Sequence, residues 1–195
     1  MNCAPNGALA LQKLGFDFAS AKGVRLENWE TVDGSSLEQI RNQDISQADK
    51  TIGAPFCAIH RNDLFQGLLA LARLSDAKPE DEGRSIDLVL NAKVVDVDAE
   101  KGVVRFADGS SQEADLIVAA DGIHSTIRPF VVDPAEDTSA DTGLAAFRFL
   151  MPDAVLQKSP AAQRLLARKA NGVGLYVDTA SGGGEKHITW YACRG

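Results

Sequence analysis

The fold is decided by the stretch Asp115-Leu116-Ile117-Val118-Ala119-Ala120-Asp121-Gly122-Ile123-His124-Ser125-Thr126-Ile127-Arg128-Pro129. Residues 116–120 are apolar without polar alternation, which is typical of a strand covered on both faces, as in a parallel α/β sheet. The run ends at Asp121 and Gly122, where small residues leave the backbone open to close approach. Because ligands bind at the carboxyl ends of the strands in open α/β sheets, the sequence predicts a ligand site at this turn.

Residues 120–128 resemble the A-D-G-x-x-S-x-x-R signature of the single-component, FAD-dependent aromatic-ring monooxygenases, which include salicylate and 4-hydroxybenzoate hydroxylases. In that family the stretch lies beside the FAD pyrophosphate and the NAD(P)H path. The resemblance therefore implies that Asp121, Gly122 and Arg128 bind the cofactor. The simpler interpretation is that Asp-Gly forms an ordinary turn and that Arg128 is the solvated end of a short helix.

The composition excludes several classes of function. The 195 residues carry a net charge of -7 and are 45% hydrophobic, which indicates a globular protein without the basic surface that nucleic-acid binding requires. The three cysteines are widely spaced and form no C-x-x-C motif, which excludes a disulfide framework or a zinc knuckle. No signal-peptide pattern and no long apolar run occur, so we expect a cytoplasmic protein without a membrane span.

The beginning of the chain predicts a helix over residues 5–14. Pro5 is suited to begin it and Gly15 to end it in the left-handed conformation. Its buried side would consist of Leu9, Leu11 and Leu14. This segment resembles a P-N-…-L-G helix of the same family, although any short amphipathic helix could show the same pattern.

A second helix is predicted after His60-Arg61, with Asn62 as its capping residue. Its apolar face comprises Phe65, Leu68, Leu69, Leu71, Ala72 and Leu74. The H-R-x-x-L pattern resembles the family segment whose arginine contacts FAD, which implies that Arg61 binds the cofactor through its forked guanidinium donors. The alternative is an ordinary ion pair between Arg61 and Asp63.

Strand patterns dominate the middle of the chain. Asp33-Gly34 predicts a hairpin turn. Alternating apolar residues over 86–90, 94–97 and 103–106 predict an antiparallel meander that leads into the strand over 116–120. In the resembled family the segment at Val94 passes the adenine, which makes Val94 a site candidate, with burial in a sheet as the other interpretation.

The resemblance implies an α/β fold with two parts. A partial FAD/NAD(P)-binding Rossmann-like domain with a β-meander would occupy residues 1–135, and the start of an α+β substrate domain would occupy 136–195. In the second part we predict strands over residues 143–149, 173–177 and 187–191 and a helix over 160–169, with a glycine loop at 182–184. Any role for Arg148, in the first of these strands, stays open.

Two family segments are missing from this sequence: the N-terminal G-x-G-x-x-G unit and the later G-D-A-x-H segment. We therefore expect an incomplete chain that does not hold FAD tightly by itself. A parallel sheet without an inner strand exposes unpaired edges, so we also expect poor solubility and self-association through an exposed sheet edge.

The functional prediction follows from the resemblance. His60, His124 and His187 are the only histidines, and their spacing builds no metal site and no hydrolase triad. In the resembled family, FAD reduced by NADH or NADPH uses O₂ to hydroxylate a small aromatic substrate, and the protein supplies binding and orientation. The alternative is a non-catalytic remnant that acts by binding a partner.

Overall fold

The computed structural model describes residues 1–75, 86–133, 140–168, 171–179 and 186–194. They form two compact units: the first comprises Met1–Ile86 and Leu150–Gly195, and the second comprises Asp87–Phe149. The elements in chain order are β1 (Asn2–Cys3), α1 (Pro5–Lys13), β2 (Val24–Arg25), β3 (Asn28–Asp33), β4 (Gln39–Asp44), α2 (Ala48–Ile52), β5 (Cys57–Ala58), α3 (Arg61–Ser75), β6 (Val94–Asp98), β7 (Val103–Phe106), β8 (Ser111–Glu113), a 3₁₀ turn (Arg128–Phe130), α4 (Asp153–Leu156), α5 (Pro160–Arg168), β9 (Gly172–Val177) and β10 (His187–Tyr191).

The first helix, α1, follows the prediction. Pro5 stands in its first turn and Gly15, just beyond its end, has a φ of +88°. Ala8 is fully buried in an apolar cluster, and Leu9 and Leu11 pack against the same cluster. The prediction that Leu14 is buried is wrong, because the helix ends at Lys13 and turns the Leu14 side chain into solvent.

Two sheets lie in the first unit. A small antiparallel sheet has the strand order β1-β5-β2, and a four-stranded sheet has the order β10-β9-β3-β4. The predicted hairpin at Asp33-Gly34 is confirmed, since β3 and β4 pair antiparallel around it. The predicted strand pair over 173–177 and 187–191 is confirmed as β9 and β10, and the glycine loop at 182–184 lies outside the described residues. β9 pairs in parallel with β3, so this sheet joins strands from both sides of residue 135.

Helix α3 begins at Arg61, which is before the residue predicted to cap it. The carbonyl of His60 already accepts the backbone N–H of Leu64, so Asn62 lies inside the first turn and is not the capping residue. The buried face also differs from the prediction. Leu64 and Leu71 pack against the core, whereas Phe65 and Leu68 are exposed.

The second unit contains the predicted meander in part. β6, β7 and β8 form an antiparallel sheet in that order, with an irregularity between Val94 and Asp96. Residues 86–90 form no strand, which corrects the prediction for the first strand of the meander. The third strand is instead β8, which follows the turn at Asp108-Gly109.

Two further predicted strands are absent. Residues 116–120 form no strand and are not covered, since Leu116 is 78% exposed and Val118 is 77% exposed. Residues 143–149 are also irregular, and Phe147 is 94% exposed. None of the strands in the described ranges pairs with either segment, and an apolar run without a neighbouring strand has neither ladder hydrogen bonds nor a covering layer.

The helix predicted over residues 160–169 is confirmed as α5, and Lys169 lies outside the described residues. No helix in the described ranges combines the length and the apolar character that a membrane crossing requires.

Candidate functional site

The turn after residues 116–120 is organised by one carboxylate. Oδ1 of Asp121 accepts a hydrogen bond from the hydroxyl of Ser125 at 2.6 Å. Oδ2 accepts the backbone N–H of Thr126 at 2.7 Å and that of Ile127 at 3.3 Å. Together these bonds wind residues 121–127 around the side chain of Asp121.

The same bonds keep Asp121 ionised. The Ser125 hydroxyl and then the two backbone N–H groups hold the pKa of the Asp121 carboxyl below its usual range. A carboxylate offers about four lone-pair positions, and three of them are engaged here. Asp121 therefore acts mainly on the shape of the turn, with at most one position left for a ligand.

Arg128 closes this network from the other end. Its backbone N–H donates to the Ser125 hydroxyl at 2.9 Å, and its guanidinium donates to the carbonyl of Gly122 at 3.3 Å. Gly122 has a φ of +85°, which favours glycine, and a Cβ at this position would meet no atom within 4 Å. The backbone of Gly122 is therefore open to an approaching group on the side where a side chain would stand.

Arg61 lies in the other unit, in the first turn of α3. Its side chain is exposed and makes no hydrogen bond or ion pair within the part of the chain that the structure describes. The alternative partner, Asp63, is engaged elsewhere: its Oδ2 lies 3.1 Å from Nε of Arg194. The predicted Arg61–Asp63 pair is therefore not formed, and the guanidinium of Arg61 stays available to an external anion.

Val94 is the first residue of β6. It is half-buried and stands opposite Phe106 in the meander, which is the position that burial in a sheet predicts. The structure thus brings together Asp121, Gly122 and Arg128 through shared hydrogen bonds, while Arg61 and Val94 belong to separate elements. Arg148 lies in the irregular residues 143–149 and is exposed.

Sequence reasoning missed the role of Ser125 as the bridge between Asp121 and Arg128. The available signal was the serine in the A-D-G-x-x-S-x-x-R pattern, since a hydroxyl four residues after Asp121 can donate to the carboxylate and accept an N–H at once.

Sequence reasoning also missed an open cleft of about 440 Å³ between the end of α1 and the middle of α3. Polar groups on this cleft include Asp17, Lys22, Asp63 and Gln66. No group of three His, Cys, Asp or Glu side chains arranged to hold a metal ion occurs in the residues described.

Comparison with known proteins gives the relationship. No protein-family model matches the chain. The FAD-dependent monooxygenase phomE of Diaporthe leptostromiformis is 31% identical over 171 residues, which cover 88% of this chain and 44% of that protein. Hispidin-3-hydroxylase of Neonothopanus nambi is 33% identical over 207 residues, covering 98% of this chain and 45% of that protein. This chain is homologous to FAD-dependent monooxygenases.

A third relative of this chain is 3-amino-4-hydroxybenzoate 2-monooxygenase of Streptomyces cremeus, which is 32% identical over 157 residues. The match covers 78% of the chain and 36% of that protein. This chain thus spans less than half the length of these three curated relatives. The family relationship predicted from residues 120–128 is confirmed.

The fold of this chain agrees with the relationship. The crystal structure of Klebsiella pneumoniae HpxO complexed with FAD and uric acid superimposes with a TM-score of 0.58 at 21% identity. The superposition covers 97% of this chain and 42% of that protein. The predicted fold class, a partial FAD-binding α/β fold, is therefore confirmed.

Proposed function

We propose that this chain forms part of an FAD-dependent monooxygenase that hydroxylates an aromatic or related small molecule with O₂ and NADH or NADPH. The observation that carries the proposal is the homology to relatives whose names include FAD-dependent monooxygenase, hispidin-3-hydroxylase and an aminohydroxybenzoate monooxygenase. Two of these names specify an oxidation of an organic ring substrate, which supports the aromatic class.

The residues of the described turn fit one part of a dinucleotide cofactor. A pyrophosphate needs N–H donors that can approach without a side chain in the way, and Gly122 offers an unobstructed backbone at positive φ. Arg128 adds a positive charge next to the same residue. In the proposed site, Asp121 and Ser125 keep this backbone in one conformation, so that little ordering remains to be done when the cofactor binds.

We also propose that the guanidinium of Arg61 binds the cofactor. An exposed guanidinium without a partner in the described chain is matched to a phosphate or to a flavin oxygen through two parallel N–H donors. When FAD is bound it supplies the redox chemistry, and the residues of this chain position it. We assign Val94 only a packing contact beside the cofactor, since its side chain is apolar and half-buried. The division into a cofactor part over residues 1–135 and a substrate part over 136–195 belongs to the same proposal.

The test is a titration of the purified 195-residue chain with FAD by equilibrium dialysis, which registers weak binding that gel filtration would lose. We expect saturable binding, weakened by about tenfold or more in Arg61→Ala, because a charge-assisted hydrogen bond contributes on the order of 1.5–3 kcal/mol. Arg41→Ala is the matched control, since Arg41 is also exposed but lies in β4, outside the proposed site. Absence of saturable binding, or equal losses in both variants, contradicts the proposal.

The cosubstrate is tested on the FAD-loaded chain. Bleaching of the flavin absorption by NADH or NADPH without oxygen would support the proposed electron donor and would distinguish between the two. A flavin that is reduced by dithionite but by neither nucleotide contradicts this part of the proposal.

We also propose that copies of the chain associate through the apolar residues 116–123. Leu116, Val118 and Ile123 are all more than 70% exposed, and apolar side chains grouped on a segment outside the described sheets favour association with another chain. Sedimentation velocity tests this: Val118→Asp should shift the chain toward monomer. The control Ile52→Asp introduces the same charge at an exposed position of α2 and should leave the distribution unchanged. A wild-type chain that is monomeric throughout contradicts the proposal.

A further inference from the structure

The small sheet of the first unit places two cysteines opposite each other. β1 and β5 run antiparallel, and Cys3 is the direct register partner of Cys57. Two hydrogen bonds fix the register on one side: the backbone N–H of Ile59 donates to the carbonyl of Met1 at 2.9 Å, and the terminal ammonium of Met1 donates to the carbonyl of Ile59 at 2.7 Å. Directly opposed residues of an antiparallel pair project their side chains to the same face, with Cβ atoms about 4.5–5.5 Å apart.

Both thiols belong to one apolar cluster. Cys57 is 3% exposed within it, and Cys3 packs against it from the edge. The Cys3 sulfur lies 3.3 Å from the position that a Cβ on Gly7 would occupy, so the thiol lies against the first turn of α1. The third cysteine, Cys193, packs against a different cluster. Of the three possible cysteine pairs, the sheet therefore places only Cys3 and Cys57 opposite each other.

We propose that Cys3 and Cys57 form a reversible cross-strand disulfide when the protein meets a low-molecular-weight disulfide such as oxidised glutathione. No disulfide joins any of the three cysteines in this structure. Disulfides need Cα atoms about 4.4–6.8 Å apart and Cβ atoms about 3.5–4.5 Å apart, whereas direct partners in an antiparallel pair have Cα atoms about 4.5–5.5 Å apart. The Cα separation fits, and the Cβ atoms must approach each other by up to about 1 Å. The bond can therefore form without a change in strand register.

The exchange proceeds in two balanced steps. The thiolate of Cys3 attacks one sulfur of oxidised glutathione and releases one glutathione thiolate. The thiolate of Cys57 then attacks the Cys3 sulfur of the mixed disulfide and releases the second glutathione. The two protons lost by the cysteines end on the two glutathiones, which are reduced while the cysteines are oxidised.

The surroundings of the two thiols set the order and the pH dependence of these steps. Burial raises the pKa of Cys3 and raises that of Cys57 to about 11, with the neighbouring Cys3 as a further cause for Cys57. Little thiolate exists at neutral pH, so we expect slow formation that accelerates as the pH rises. Cys3 reacts first because it is less buried than Cys57.

The test uses the Cys193→Ser variant, which keeps only the proposed pair. After incubation with oxidised glutathione in mildly alkaline buffer, the denatured protein is alkylated and its intact mass is measured. We expect a mass lower by two hydrogen atoms with no alkyl group added, full reversal by dithiothreitol, and a melting temperature several degrees above that of the reduced protein.

Two double variants separate the steps. Cys57→Ser with Cys193→Ser should stop at a glutathione adduct on Cys3, and Cys3→Ser with Cys193→Ser should react much more slowly. Two alkylated thiols, a persistent glutathione adduct in the two-cysteine protein, or only intermolecular disulfides would overturn the proposal. The readout does not involve FAD, so its outcome is independent of the function proposed above.

Discussion

The indole ring of Trp190 covers Gly174. The two residues are register partners in β10 and β9, and the indole nitrogen occupies the space that a Cβ on Gly174 would need. Glu30 of β3 stands opposite Gly174 on the other side and is almost fully buried. A glycine at this point of the sheet thus gives a large aromatic side chain room to lie across the neighbouring strand.

Replacing Gly174 by Ala should therefore force the indole ring of Trp190 away. We expect a loss of about 1–3 kcal/mol in the free energy of unfolding, as for other overpacked interiors, and a red shift of the tryptophan emission. Urea denaturation and fluorescence measure the two effects. In a Trp190→Ala background the same change should cost much less, because the clash is gone. Equal costs in both backgrounds would show that Trp190 is not the obstacle.

Leu26 is 1% exposed and belongs to an apolar cluster that also contains Ala58 of the small sheet and Val173 of the four-stranded sheet. Leu26→Ala should lower the free energy of unfolding by about 2–5 kcal/mol, since it leaves a cavity in a packed interior. Leu14→Ala is the matched control: Leu14 is exposed, so we expect a change within about 0.5 kcal/mol. Similar losses in both variants would contradict the observed placement of Leu14.

Stability toward acid should depend on Asp33. The Thr179 hydroxyl and then the backbone N–H groups of Ser36 and Ser35 lower the pKa of this carboxyl to about 2. Since the pKa of an aspartate in an unfolded chain is about 3.9, the stabilisation is complete above roughly pH 4 and is lost as the pH falls to about 2.

Asp33→Asn should accordingly be less stable than the wild type at neutral pH, and the difference should shrink between about pH 4 and pH 2. Urea midpoints at a series of pH values measure it. Asp87→Asn is the control, since Asp87 is exposed and has no hydrogen bond or ion pair among the described residues. A stability difference for Asp33→Asn that does not vary with pH would contradict the assignment.

The turn around Asp121 offers a local test. Asp121→Ala removes the acceptor for the backbone N–H groups of Thr126 and Ile127, so their amide hydrogens should exchange faster with solvent. Hydrogen exchange resolved by NMR or by mass spectrometry detects this. Asp108→Ala is the counterpart in the meander and should affect the amide of Ser110 instead. Unchanged exchange at Thr126 would show that the carboxylate does not hold the turn.

Local features of the fold could be predicted from the sequence. Helix α1 depends on Pro5 and Gly15, and the hairpin depends on Asp33-Gly34, which are signals contained within a few residues. The polar turn over residues 121–128 was also predictable, because its hydrogen bonds join residues no more than six positions apart. The chemistry of such segments is complete within the segment.

Features that depend on distant partners could not be predicted. The apolar run over residues 116–120 has the composition of a covered strand, but composition alone does not supply a neighbouring strand, and the side chains are exposed. The buried face of α3 was misjudged for a related reason, since Leu64 is selected over Phe65 by the position of the core and not by periodicity. The engagement of Asp63 by Arg194, which leaves Arg61 available, likewise joins residues that are 131 positions apart in the sequence.

The parallel pairing of β3 with β9 has a consequence for synthesis. Asn28 can form a hairpin with β4 as soon as that neighbouring strand is made, but its parallel partner Gly172 follows only much later in the sequence. One edge of β3 therefore stays without its hydrogen-bond partner until the residues between the two strands have been synthesised. Nascent chains halted before residue 172 can contain the β3–β4 hairpin but not the four-stranded sheet, so the sheet assembles after the hairpin, however soon its first strand is made.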